Sequence, residues 1–230
     1  LSNTIKNFEK EDEFYYWFRV KKETQIIIEN KDYEEGIKYI DLKFEKIENP
    51  NIKMIFDLAN FYKNSKKYNK AIKLYSQIIS NYDDSSAIKS EILYRRGSSF
   101  ERLENYNKAD ADLLHALKIN PNDAYILNYL AYSWLERDYK INNAMEMLKT
   151  AYDLKSNDPY IIDSIGWAYF LIEDYDQAEY YLKMAVELMP DDPIVNDHYG
   201  DILWKLNRKI QARYFWKNVL TFDDTEDDMR

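Results

Sequence analysis

Between residues 159 and 192 the apolar positions fall on two helical stripes with a polar break between them. Ile162, Ile165, Gly166 and Tyr169 follow the i, i+3, i+4, i+7 spacing of one helix face, and Ala178, Leu182 and Ala185 follow i, i+4, i+7. Glu173 and Asp174 form a short turn between them, and Tyr175 opens the second stripe. The pattern predicts a helical hairpin. It also recurs: Gly166 and Gly200 are 34 residues apart, Pro159 and Pro193 are 34 apart, and Gly97 to Gly166 and Pro121 to Pro190 each span 69. Ala71, Ala109, Ala144, Ala178 and Ala212 follow at spacings of 38, 35, 34 and 34, with Ala116, Ala151 and Ala185 in step. A period of this length marks a repeat protein. One hairpin cannot bury both its faces, so such units stack, each contacting mainly its neighbours. Small residues at fixed phase then mark the places where two helices cross most closely.

Composition agrees with an all-α fold. Four glycines and five prolines in 230 residues leave too little turn chemistry for a sandwich or barrel. The absence of cysteine excludes a disulfide framework and thiolate-ligated metals, and Gly36, Gly97, Gly166 and Gly200 cannot make a phosphate-binding loop. No apolar run approaches the roughly 18 residues needed to cross a bilayer, so this segment is expected to make no membrane contact. The chain begins at Leu1 without an initiator Met or a signal segment, and reads as a fragment or a processed chain. The net charge of −9 is uneven: residues 1–80 carry 15 basic and 13 acidic residues, and residues 81–230 carry 17 and 28. Such an acidic field repels phosphate backbones, so no nucleic-acid partner is expected.

The repeated residues resemble the tetratricopeptide repeat (TPR) family. The unit 90–123 carries Leu93, Gly97, Phe100, Tyr106, Ala109, Leu113, Ala116 and Pro121, and 159–192 carries Ile162, Gly166, Tyr169, Tyr175, Ala178, Leu182, Ala185 and Pro190 at matching places. In 193–226, Gly200, Leu203, Ala212 and Trp216 fit while Val219 replaces the second alanine. The unit 124–158 has one extra residue near Ile141, with Ala131 for Gly and Ser156 for Pro. Leu58, Ala59, Tyr62, Tyr68 and Ala71 carry 52–85, whereas in the degenerate 17–50 only Tyr33, Gly36 and Ile40 fit. The resemblance implies one right-handed α-α solenoid over residues 1–230. Its expected parts are an N-terminal helix 1–16, a degenerate repeat 17–51, repeats 52–85, 90–123, 124–158, 159–192 and 193–226, and an acidic tail 223–230. The runs at 127–134, 162–169 and 196–204 are similar to a proteobacterial group of exported or lipid-anchored TPR proteins. That group includes an adaptor of a carboxyl-terminal processing protease. This likeness favours the bacterial periplasm or envelope, with an envelope protease or assembly factor as partner; cysteine usage leaves the cytoplasm equally open.

In this family the first helix of each repeat lines a concave groove, and by that resemblance the groove here is formed by Tyr94, Tyr125, Asn128, Tyr132, Asp163, Trp167, Phe170, Asp197, Asp201 and Trp204. Aromatic residues with a row of carboxylate and amide groups suit an apolar peptide carrying Lys, Arg or free amides. Each aromatic fits an interhelical packing position equally well, and a solvated carboxylate is the default for Asp163 and Asp197. The clamp that holds chaperone tails needs a Lys/Arg set that is missing at Phe56/Asn60, Tyr94/Ser98 and Asn128/Tyr132, so such tails are not expected partners.

His115 and His198 are the only histidines. His198 with Asp197 and Asp201 sketches a weak metal site, but a polar helix-face histidine is the expectation. Asp163 and Asp197 could imitate an acid–base pair, yet nothing in the sequence supplies the apolar shielding or the partner that such a pair needs. No catalysis and no cofactor are expected. At the ends, the run Phe14 to Phe18 is expected to pack on the degenerate repeat or on another copy, and Tyr214, Phe215 and Val219 are expected to be partly exposed. The functional expectation is a protein-binding scaffold or adaptor. The alternative is a module that forms homo-oligomers through its terminal faces.

Overall fold

The computed structural model describes residues 2–30, 33–83, 85–222 and 225, with side chains from residue 13 onward. Among them are twelve α-helices and no strand: α1 Ser2–Glu29, α2 Tyr33–Phe44, α3 Ile52–Asn64, α4 Tyr68–Ile79, α5 Ala87–Glu101 and α6 Tyr106–Ile119, then α7 Ala124–Glu136, α8 Ile141–Leu154, α9 Pro159–Leu171, α10 Tyr175–Leu188, α11 Pro193–Lys205 and α12 Lys209–Val219. They form two compact units, Leu1–Asp112 and Leu113–Arg230. In the first, α1 packs on α2, α3 on α4 and α4 on α5. In the second, each helix from α7 to α12 packs on the next, and α9 also meets both α7 and α11. This is the stacking of helical hairpins that the apolar stripes predict.

Local chemistry sets the hairpin boundaries. Asp123, Asp158 and Asp192 cap α7, α9 and α11, each carboxylate accepting backbone N–H groups of the first turn. Pro159 and Pro193 occupy the first turn, where a missing N–H costs nothing. The five hairpin turns from α3–α4 to α11–α12 each hold a left-handed residue, Lys66, Glu104, Asp138, Glu173 and Asn207 in turn, with φ between 51° and 62°. The next N–H closes back on the helix, as in Asp174 N–H to Tyr169 O at 3.0 Å and Arg208 N–H to Leu203 O at 2.8 Å. These are Schellman ends built without glycine. The extra residue of the unit 124–158 is accommodated by a second left-handed position, Lys140, with φ 48°.

The recurring small residues sit at the crossings. Ala71, Ala109, Ala144, Ala178 and Ala212 are fully buried, as are Ala116, Ala151 and Ala185. A Cβ added to Gly166 would meet Leu182 Cγ at 2.8 Å and the Leu182 backbone nitrogen at 3.0 Å, and one on Gly200 would meet Trp216 Cδ1 at 2.6 Å.

The ends differ in part from expectation. α1 runs unbroken through residues 16 and 17, where the resemblance places a boundary, because Ser2–Glu29 contains neither Gly nor Pro to interrupt it. Trp17 is buried, edge-on to Phe44, and its indole N–H donates to Asp57 Oδ2 at 3.2 Å. Tyr16 donates its hydroxyl to the Lys43 carbonyl. Phe14, Tyr15 and Phe18 face outward and are more than half exposed, since a helix presents only one face to its neighbours. At the other end Tyr214 is exposed, but Val219 is buried: Thr225 folds back over it and donates its hydroxyl to the Val219 carbonyl.

Candidate functional site

Tyr94 lies half-buried on α5 in the first unit, and the other nine expected groove residues lie on α7, α9 and α11 of the second. Tyr125 is 48% exposed at the start of α7, where Lys155 donates to its hydroxyl at 3.2 Å and places Nζ 4.5 Å from the ring centre. Asn128 is half-buried, with its Oδ1 covered and unpartnered. Trp204 on α11 is 38% exposed; its ring lies 5.4 Å from Trp216, with Lys209 over it.

The middle of the site is a buried ion pair. Asp163 on α9 and His198 on α11 are 4% and 6% exposed. His198 Nδ1 lies 2.9 Å from Asp163 Oδ2 and 3.1 Å from Oδ1. The imidazole stacks on Trp167, with ring centres 4.2 Å apart and planes at 11°, and Phe170 stacks on the other face of Trp167 at 4.7 Å and 9°. Tyr132 approaches the imidazole at 6.4 Å, and Lys205 lies over Phe170. The Trp167 indole N–H donates to Glu136 Oε1 of α7 at 3.0 Å. One connected column thus ties α7, α9 and α11 together.

Two expectations are corrected here. His198 is not a polar helix-face residue but a core one, because the ring faces inward and a carboxylate 35 residues away satisfies it. Asp163 is not solvated, and the shielding and partner absent from its own stretch of sequence come from Trp167 and His198. Trp167 in turn has both faces covered, so it offers a ligand its edge rather than a stacking surface.

Electrostatics follow burial and proximity. Burial disfavours the His198 imidazolium, but Asp163, with Asp197 and Glu136 farther off, outweighs it and raises the His198 pKa above the usual imidazole value. Burial raises the half-buried Asp197 carboxyl, with His198 opposing. Asp201 is raised by burial and by Asp197, against His198, a hydrogen bond from Trp216 and the charge of Lys205. A half-buried carboxylate whose pKa is raised by burial favours an additional cation beside it. The His198–Asp163 pair resembles half of a catalytic triad but is sealed from a substrate. Among the described residues no group of three or more His, Asp or Glu side chains is placed to hold a metal ion.

Glu136 and His198 are the site residues missing from the sequence-based groove set. The one available signal was register: His198 follows Asp163 by 35 residues, one repeat plus one position.

Family models described as tetratricopeptide repeat match residues 54–85 and 90–123. At these two units the chain carries tetratricopeptide repeats. It is 24% identical over 161 residues to a TPR repeat-containing protein of Pseudomonas aeruginosa, covering 70% of this chain and 27% of that protein. A TPR repeat-containing protein of Methanocaldococcus jannaschii is 40% identical over 88 residues, covering 35% of this chain and 27% of the relative. The chain therefore spans about a quarter of either relative. A tetratricopeptide repeat protein of Parabacteroides merdae superposes with a TM-score of 0.67 at 16% identity, covering 94% of this chain and 83% of that one, a likeness of fold. TPR folds generally mediate protein–protein interaction and are typically non-enzymatic.

Proposed function

We propose that this TPR chain is a non-enzymatic adaptor that binds a peptide or protein segment across the first helices of its hairpins, in the bacterial cell envelope. The observation that carries the reading is the surface shared by α7, α9 and α11. It combines the exposed aromatic edges of Tyr125 and Trp204 with the half-buried carboxylates Asp197 and Asp201. A segment with apolar side chains and a Lys or Arg would gain contact area from the first pair and relieve the second. In this reading Tyr132, Asp163, Trp167 and Phe170 hold the binding residues in place, and Tyr94 belongs to the corresponding surface of the first unit. The Pseudomonas relative supports a bacterial setting.

The test is capture of apolar peptides on an array, with and without Lys or Arg, by the wild type and by Asp201→Asn with Trp204→Ala. Preferential retention of the basic peptides by the wild type, lost in the double variant, is the expected result. Equal retention by both proteins would refute the assignment.

A second reading has its own support. On α12, Ile210 is 85% exposed and Tyr214 62%, an apolar face that a second copy could cover. If self-association is the chain's role, light scattering should show an oligomer that Ile210→Asp with Tyr214→Asp converts to monomer, while groove substitutions leave it intact.

A further inference from the structure

The Asp163–His198 pair joins two separate hairpins. Asp163 stands on α9, and His198 on α11 of the following hairpin. We propose that His198 is a proton-operated clamp: its protonated form holds the α11–α12 hairpin against α9, and loss of the proton loosens that hairpin.

Geometry carries the argument. The imidazole has one nitrogen on both Asp163 oxygens and one face on the Trp167 ring, so a single charge makes an ion pair and a cation–π contact in a nearly sealed site. Every titratable neighbour identified around it is acidic or phenolic. Asp163 faces it from α9, Glu136 and Tyr132 from α7, and Asp197 and Asp201 from α11 itself. From α12, Trp216 reaches Asp201 with an uncharged N–H. Lys205 lies over Phe170, and its charge also acts on Asp201. When His198 is neutral its Nδ1–H can still donate to Asp163, but the cation that offsets the charges of Asp163, Asp197, Glu136 and Asp201 is gone. Their mutual repulsion then acts between α7, α9 and α11. The direction of the His198 shift agrees: attraction by Asp163 more than offsets burial. A group raised in this way contributes its full stabilisation below its unfolded pKa, about 6.5, and loses it as pH rises through the folded value.

With only two histidines in the chain, the clamp can be read directly. Imidazole resonances of the whole chain are titrated between about pH 5 and about pH 9, alongside hydrogen exchange of the α11–α12 amides corrected for intrinsic rates. The His198 midpoint is expected above about 6.5, and α11–α12 opening should increase through it, by about tenfold for each unit of the shift, while α7–α8 stays level. His198→Asn, whose amide can donate to Asp163 without titrating, should remove the slope, and Asp163→Asn should lower the midpoint. A His198 midpoint at or below about 6.5, or an opening slope that persists in His198→Asn, overturns the clamp. Should the variant fail to fold, the wild type decides: coincident midpoints for imidazole and exchange support the proposal, and separate ones defeat it. The readouts need no ligand, so their failure is independent of the adaptor reading.

Discussion

Single side chains at three kinds of position decide whether a hairpin of this array closes. Asp158 caps α9 by accepting the N–H groups of Tyr160 and Ile161 at 3.1 and 3.3 Å. Asp158→Ala should cost about 1 kcal/mol, read as a lowered thermal midpoint. Gly166 stands where a Cβ collides with both the side chain and the backbone of Leu182. Gly166→Ala should therefore lose about 1–3 kcal/mol, and an unchanged denaturation midpoint would refute this crossing. Asp163 is the third kind. Asp163→Asn removes the counter-charge of a buried imidazolium and should cost about 3 kcal/mol at mildly acid pH, with less loss at alkaline pH where His198 is neutral. The glycine was legible from its spacing alone, since only a recurrent close approach explains a recurrent small residue. The ion pair was not: Asp163 and His198 meet because neighbouring repeats stack, and nothing local to either residue announces the other.

At the scale of the element, the turns are the informative part. Five hairpins end their first helix on a left-handed residue that is never glycine. That geometry is strained for a residue with a Cβ, and glycine removes the strain at some cost in unfolded-chain entropy. Asn207→Gly and Glu173→Gly should each stabilise by about 0.5 kcal/mol, measured by chemical denaturation. Lys140→Gly should act the same way on the one turn that holds a second left-handed residue, whereas glycine at the helical Asp176 should destabilise. The one-residue insertion was visible in the repeat spacing, but its conformation was not, because either a bulged helix or a longer turn accommodates the same count. α1 shows the opposite limit. A family-based boundary at residue 16 has no local breaker beside it, and the helix continues to Glu29.

For the whole molecule, the two units answer pH in different windows. In the second, Asp197, Asp201 and His198 are all raised, so the folded state binds more protons than the unfolded one and stability falls as pH rises. The carboxylates act from about pH 3.8 up to their folded values, and His198 from about 6.5 upward. In the first, the Tyr39 hydroxyl donates to Glu23 and is pushed up to about 12 by that bond and by burial. Burial, with a hydrogen bond to Asp41, raises Tyr62, and burial raises Tyr75 as well. Their stabilisation is present below about pH 10 and lost above it. Denaturation followed by hydrogen exchange should show the α11–α12 hairpin of the second unit weakening between about pH 6 and 9, and the first unit only beyond about pH 10. Weakening of the first unit between about pH 6 and 9 would contradict this assignment. The sequence by itself determined the helical hairpins, their period and the small residues at their crossings, because these follow from apolar spacing along one chain and from sterics that repeat with it. Only the tertiary structure decided that Asp163 is buried, that Trp167 is sandwiched and that His198 belongs to the core. Those facts depend on which side chains of stacked repeats come face to face, and a shift of one position in that register exchanges interior for surface.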